Sequence, residues 1–438
     1  MLERKIEGFI KDFLAPRPQK ILIIDGARQT GKTFVIRKVG RELFKNYVEI
    51  NMFDDSMNQR NFEDVRSVSD FYLQLSASAG KKLGNKNDTL VFLDEIQVYP
   101  HLLTLMKFIN QDNRYTYIAS GSQLGITLFN TLSIPMGSIV VEHMYPLDFE
   151  EFLWANGVGH DFIEHCREMF LARKSLKESF HNRMMELFRK YLIVGGLPEV
   201  VQSFVNEENI AKARKLQSQI HDYYAVDASK YDQQKRLKIR RIYDMIPSVL
   251  ENKKKRMVVR DIEGMESKRY KDYEDEFDYL VASGIAIDVK AIPTPVFPLV
   301  ETMSKNLLKL YLNDVGMLTG ILYKNNINPI LNDELSVNLG TVYESVVAQE
   351  LKAHGFKMFY YDNKQKGEVD FLIDDYDALS VLPVEIKSGK DYYVHSALTN
   401  FLSNKDYSVK NALVLYNGGI VEQKDGITYM PIYNVMFL

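Results

Sequence analysis

The chain has 438 residues, 46% apolar and 26% charged, a balance typical of a folded polypeptide that excludes disorder and collagen-like repeats and, at about 150 residues per domain, suggests about three domains. Its 55 Lys and Arg against 58 Asp and Glu leave a net charge of −3, so any polyanion site must be local. The longest apolar runs, such as Ile21 to Ile24 and Leu90 to Leu93, fall far short of the roughly 20 residues that cross a bilayer, so no membrane partner is expected.

The N-terminal segment MLERKIEGFIKDFLAPRPQK interleaves charges with apolar residues at helical spacing and lacks the continuous apolar stretch of a secretory signal. From Gln19 to about Pro146, short β-rich runs alternate with helical segments: ILIID at 21–25, YVEI at 47–50, TLVFLD at 89–94, YTYIAS at 115–120 and SIVVEH at 138–143. Such alternation predicts a parallel sheet with helices on its faces. The first strand leads into Gly26-Ala27-Arg28-Gln29-Thr30-Gly31-Lys32-Thr33, which satisfies G-x-x-x-x-G-K-[ST] between a strand and a helix. Glycines let such a loop wrap tightly so that backbone N–H groups and a helix N-terminus face phosphates; Lys32 reaches the β/γ oxygens and Thr33 ligates magnesium. The strand TLVFLD ends in Asp94 and Glu95, placing Asp94 at the magnesium and Glu95 at the attacking water. YTYIASGSQLG ends in Ser120-Gly121-Ser122, where Ser122 either senses the γ-phosphate or belongs to an ordinary polar turn.

Pro146 to about Lys230 reads as helical, in DFEEFLWANG, DFIEHCREMFLA and RMMELFRKYLIV, until Gly195-Gly196-Leu197-Pro198 breaks the pattern. The single cysteine, Cys166, sits there without a nearby motif and reads as a small buried apolar residue; with no disulfide open to it within the chain, a cytoplasmic location is expected. Residues 230–291 read as two or three helices followed by a short hairpin, the layout of a winged helix. Three prolines in IPTPVFPLV at 292–300 mark a linker or edge strand. A helix from Leu339 to His354 and the strands KMFYYD, EVDFLI, LPVEIK and ALVLYN make a second α/β unit. The expected domains are 1–146, 147–229, 230–291 and 301–438.

Between Lys230 and Lys271 there are 14 Lys and Arg against 6 Asp and Glu, an excess of eight positive charges in a chain that is otherwise acidic. The clusters Arg240-Arg241, Lys253-Lys254-Lys255-Arg256 and Lys268-Arg269, interleaved with Tyr270 and Tyr273, are candidates for neutralising nucleic-acid phosphates; a solvated helix surface is the alternative. Further on, Asp370 lies in GEVDFLI and, fifteen residues later, Glu385 and Lys387 share one face of PVEIKSG. An acid, then acid-x-lysine, on neighbouring strands is the pattern of PD-(D/E)xK phosphodiesterases. Carboxylates there bind magnesium and the lysine stabilises charge or positions water. Glu344, on the preceding helix, matches an additional acid of such sites; an exposed strand without metal is the plainer alternative.

GARQTGKT, FLDEIQ, IASGS and MYPLDFEEFLWANG together resemble the prokaryotic AAA-type P-loop ATPases that carry a C-terminal domain of unknown function, and YLIVGGLPEVV, KLYLNDVGML and GEVDFLI to PVEIKSGK resemble the C-terminal part of that group. The resemblance covers most of the chain. Together with the layout read at 230–291, it gives the expected α/β fold: an AAA-type parallel sheet core with a helical subdomain, a winged-helix-like middle module and a restriction-endonuclease-like C-terminal domain. It also implies ATP and Mg2+ as cofactors and ATP hydrolysis by Lys32, Thr33, Asp94 and Glu95. One departure stands out. Many relatives have a Gly-Arg pair before the MYPLDF-type motif, where this chain has Met136-Gly137-Ser138, leaving Arg114 and Arg167 as candidate substitutes for an arginine finger. The function expected is ATP hydrolysis coupled to DNA binding or processing, with the nuclease-like face built on Glu344, Asp370, Glu385 and Lys387. The alternative is a nucleotide-dependent switch, self-assembling or binding a protein partner, that cleaves nothing.

Overall fold

Five strands, β1 (Ile21–Asp25), β2 (Asn46–Asn51), β3 (Thr89–Asp94), β4 (Thr116–Gly121) and β5 (Ile139–His143), lie parallel in the order β2-β3-β4-β1-β5. Every residue of β1, β3 and β4 is buried, which accounts for their unbroken apolar runs: a parallel sheet is covered on both faces. Among the described residues, the helices of this unit are α1 (Lys5–Leu14), α2 (Lys32–Leu43), α3 (Met52–Met57), α4 (Val68–Ala79) and α5 (Pro100–Asp112). One layer packs Ile10, Leu14, Ile36 and Val39 on Leu22, Ile24, Phe92 and Ile118; the other packs Phe71, Leu75, Leu103 and Met106 on Ile23, Val91 and Leu93. Each such side chain contributes roughly 1.5–3 kcal/mol when fully buried. Helix α4 starts at a reciprocal cap, with Ser67 Oγ accepting from Asp70 N and Asp70 Oδ2 accepting from Ser67 N, both at 3.1 Å.

The computed structural model describes residues 2–80, 83–122, 137–228, 235–265, 267–302, 304–332, 339–363, 365–389, 392–404, 406–407 and 409–438. They form two units: residues 3–145 with 282–284, and residues 146–281 with 285–438 and Leu2. The expected boundary at 229/230 and Met136 lie outside the described residues. No described helix is long and apolar enough to cross a membrane.

The second unit begins with helices α6 (Phe149–Ala155), α7 (His160–Leu171), α8 (Glu178–Val194), α9 (Pro198–Glu207), α10 (Ile210–Ala228), α11 (Arg236–Leu250), α12 (Val259–Glu263) and α13 (Glu274–Ala282). After β6 (Ala286–Ile292) and β7 (Ser304–Leu312) come α14 (Val315–Tyr323), α15 (Asn328–Leu331) and α16 (Gly340–Ala353). The chain finishes through β8 (Phe359–Asn363), β9 (Gly367–Asp375), β10 (Ser380–Lys387), α17 (Ser396–Leu402), β11 (Ala412–Tyr416), β12 (Glu422–Lys424) and β13 (Ile427–Pro431). Its eight strands run in the order β12-β13-β11-β10-β9-β8-β6-β7, antiparallel from β8 to β10 and parallel from β10 through β11 to β13. All four expected C-terminal strands are present.

The 292–300 segment does not separate two sheets. Strand β6, before the prolines, pairs antiparallel with β7 and parallel with β8, both after them. Pro293, Pro295 and Pro298 stand in the connection, where no ladder N–H is needed. The helices before β6 are those expected, but the β6–β7 pair is built into a larger sheet and is no free-standing wing.

The Gly195-Gly196 break is structural. A Cβ on Gly196 would lie 2.0 Å from Leu147 O, and Leu147 N donates to Gly196 O at 2.7 Å. Asp314, which caps α14 through Met317 N at 2.9 Å, accepts from Gly196 N at 2.6 Å. Arg214 Nη1 donates to Ile193 O and Gly316 O, each at 3.0 Å. The motifs YLIVGGLPEVV and KLYLNDVGML are therefore two halves of one buried joint. Burial pushes the Asp314 carboxyl up to about 6 against these backbone N–H donors. Cys166 is buried, and burial raises its thiol to about 11.

Candidate functional site

The parallel register brings polar strand ends to one edge of the first sheet. Asp25 pairs with Gly121 on β4 and His143 on β5, and Asn51 pairs with Asp94. Strand β1 lies between β4 and β5, where the connections diverge to either side, the usual crevice for a ligand in open α/β sheets. The loop after β1 wraps tightly there. Gly26 has φ +145° and a Cβ on it would meet Met144 O at 2.3 Å; Gly31 has φ +95°. The first bond of the α2 ladder is Val35 N to Gly31 O, so the amides of Lys32, Thr33 and Phe34 precede it. Lys32 is buried and donates from Nζ to Gly26 O at 2.8 Å and Ala27 O at 2.7 Å, turned onto its own loop. Burial lowers its pKa, opposed by Glu95, Asp25 and Asp94. Thr30 Oγ1 donates to Ala27 O at 3.0 Å, while Arg4 braces the loop through Thr30 O and Tyr145 O at 2.9 and 2.7 Å. Gln29 is exposed in the left-handed region.

Thr33 and Asp94 meet: Thr33 Oγ1 donates to the two carboxylate oxygens at 3.1 and 3.3 Å. Asn51 Nδ2 and Ser120 Oγ also donate to Asp94, whose pKa burial raises and these hydroxyls oppose. Hydroxyl and carboxylate oxygens in contact suit a hard cation such as Mg2+. Glu95 takes a left-handed backbone at φ 54°, and its Oε2 accepts from Gln97 Nε2 and from Ser122 Oγ, the latter at 3.3 Å. Ser122 Oγ in turn accepts from Arg28 Nε at 3.3 Å. The expected residues of this site are thus gathered. Asn51, Ser120 and Gln97 join them; the strand-end polar residues Asn51 and Ser120 were the available signal. Arg114 precedes β4 at the far end of the strand, 3.5 Å from Asp112 and over the Tyr72 ring, so it does not reach the loop. Arg167 is engaged by Glu150 at 3.0 Å and Glu164 at 3.4 Å.

In the second unit the β9–β10 register, carried one step beyond Val384↔Phe371, sets Glu385 opposite Asp370, and Ile386 N donates to Asp370 Oδ2 at 2.8 Å. Lys387 Nζ donates to Glu385 Oε1 at 2.8 Å. Glu385 is 6% exposed, and its Oε2 is buried with no hydrogen-bond partner among the described residues. Burial and the charges of Glu385 and Glu344 push Asp370 well above the usual carboxylate range; burial raises Glu385 too, against Lys387. Glu344 is close enough to add its charge but is engaged by other partners, accepting from Lys255 Nζ, with Tyr311 Oη at 3.4 Å. Among the described residues, no three His, Cys, Asp or Glu form a ready metal cage.

Sequence reading missed two partners here. Lys309 on β7 is fully buried, donates to Glu368 and lies 4.6 Å from the Tyr360 ring centre. Despite burial, its pKa is raised well above normal by Tyr311, Glu344, Glu368 and Asp370. Glu368 was legible, since alternation puts it on the Asp370 face. The basic run 253–256 also differs from expectation: Lys255 is paired with Glu344 and Arg256 with Asp362 at 2.9 Å, so half of it is engaged internally.

Residues 18–153 match the family model for an AAA domain. This region is an AAA-type P-loop ATPase domain. Residues 185–327 and 339–435 each match a domain of unknown function, DUF8612 and DUF4143. An uncharacterized protein of Methanocaldococcus jannaschii, MJ1544, is 24% identical over 364 residues, covering 81% of this chain and 72% of that one. Among solved structures, the Walker-type ATPase PABY2304 of Pyrococcus abyssi is similar at 12% identity and TM-score 0.45, over 74% of this chain and 96% of that one. Cdc6p of Pyrobaculum aerophilum is similar at 12% identity and TM-score 0.28, over 76% and 96%.

Proposed function

We propose that this protein binds and hydrolyses ATP at its P-loop and couples that cycle to nucleic acid, with the acid–lysine face of the second unit acting on phosphodiesters. The observation that carries the reading is the Thr33–Asp94 contact beside a P-loop lysine. Thr33 and Asp94 would hold Mg2+, which supplies neutralisation of the β/γ oxygens. Lys32, now donating to Gly26 O and Ala27 O, exchanges those carbonyls for phosphate oxygens. Glu95, released from Gln97 and Ser122, accepts a proton as the water oxygen bonds to the γ-phosphorus and the bridging oxygen leaves with ADP. Arg28 and Ser122 meet the γ-phosphate from within the same chain, a cis positive charge where the Gly-Arg arginine of relatives is missing.

For the second site, the orphaned Oε2 of Glu385 and the adjacent Asp370 carboxylate fit a hard divalent cation, and Lys387 is within reach to orient water or stabilise charge. The internal pairing of Lys255 and Arg256 favours the second reading, a nucleotide-dependent switch without cleavage. Supercoiled plasmid with Mg2+ or Mn2+, with and without ATP, decides between them. The wild type is expected to nick it, Lys387→Ala not, and Lys32→Ala to lose the ATP effect. A wild type that neither nicks nor hydrolyses ATP faster with DNA supports the switch.

A further inference from the structure

The second unit gathers more charge than an acid-x-lysine motif needs. Glu344, Glu368, Asp370 and Glu385 are accompanied by Lys255, Lys309 and Lys387, each paired with one of the acids. Lys255 is only 16% exposed at its side chain and Lys309 not at all. Uncompensated charge in such a place is costly, so the count of charges constrains what can enter. With Asp370 and Glu385 deprotonated, as cation binding requires, four carboxylates against three ammonium groups leave one negative charge. Two divalent cations would overshoot it by three. One divalent cation with one phosphodiester brings the sum to zero.

Among the described residues, the buried, unpartnered oxygen of Glu385 is free to accept a cation, whereas both Glu344 oxygens already have partners, Lys255 and Tyr311. We infer that Lys255 and Lys309 are built-in cations of this site, that Glu344 is the counter-ion of Lys255 rather than a metal ligand, and that the site takes a single divalent cation through Asp370 and Glu385. This deepens the phosphodiester reading above and rests on it. Lys255 follows α11 and belongs to the basic run 253–256, so the residue that sets the cation count sits in the segment whose remaining lysines, Lys253 and Lys254, are exposed. A polyanion drawing Lys255 away would free Glu344 and change the site's appetite for metal.

Mn2+ binding to the full chain, counted by calorimetry and electron paramagnetic resonance without ATP, tests this. The wild type is expected to take one Mn2+ at this site over the count in Asp370→Asn. Lys255→Met should bind it roughly tenfold more tightly and Glu344→Gln roughly tenfold more weakly, because each leaves the partner's charge exposed to the cation. The double variant Lys255→Met/Glu344→Gln should return to within about threefold of the wild type, the coupling of a neutral pair removed together. Lys255→Arg keeps the charge and should match the wild type, separating charge from packing and folding. A double variant as weak as Glu344→Gln alone, or a wild type holding two Mn2+ more than Asp370→Asn, overturns the inference while leaving the phosphodiester reading intact. Equal Mn2+ counts in the wild type and Asp370→Asn sink both.

Discussion

The two candidate sites are made of different material. The P-loop is built from backbone: glycines at φ +145° and +95°, amides ahead of a helix ladder, and a lysine resting on two carbonyls. The acid–lysine face is built from side chains on three strands, one helix and the turn after α11, charge against charge, with Lys309 fully buried and Lys255 and Lys387 partly so. A backbone site tolerates loss of its ligand because its carbonyls and amides are satisfied locally. A side-chain site must carry its own compensation or it will not fold.

Three substitutions press on that contrast. Gly26→Ala should be the most damaging, because its Cβ meets Met144 O at 2.3 Å at a φ alanine avoids. A loss of about 3 kcal/mol or more in thermal unfolding, with ATP affinity beyond detection, is expected. An alanine variant with normal affinity would break the backbone account. Lys309→Met should cost about 3 kcal/mol by leaving Glu368 and Asp370 uncompensated, and millimolar Mn2+ should restore part of the melting temperature, an effect a chelator reverses. No destabilisation there would mean that the lysine is not the compensating charge. Ser122→Ala removes one hydroxyl from the Arg28–Ser122–Glu95 chain and should lower ATP turnover about fivefold, the worth of roughly one hydrogen bond, with unfolding unchanged.

The same difference governs how far the sequence could be read. Eight consecutive residues specify the P-loop, and Asp94 and Glu95 end a fully buried strand, so local pattern sufficed. All five strands of the first sheet fall where alternation predicts them. The second site required pairings between residues 255 and 344, and 309 and 368, which sheet closure decides and no local spacing reports. Lys255 and Arg256 looked like phosphate ligands because a run of like charge reveals nothing of acids nearly a hundred residues further on. The proline-rich stretch at 292–300 read as a boundary for a similar reason: prolines mark a break in local pairing, and β6 is held by partners on the other side of them.

If Lys32, Thr33, Asp94 and Glu95 form a working ATPase centre, turnover depends on the Glu95 carboxylate and binding does not. Phosphate release at saturating ATP and Mg2+, measured alongside binding of labelled ATP for wild type and Glu95→Gln, tests it most directly. Unchanged binding, with turnover lower by about 10²-fold or more, is expected in the variant. Equal turnover in the two proteins would contradict it.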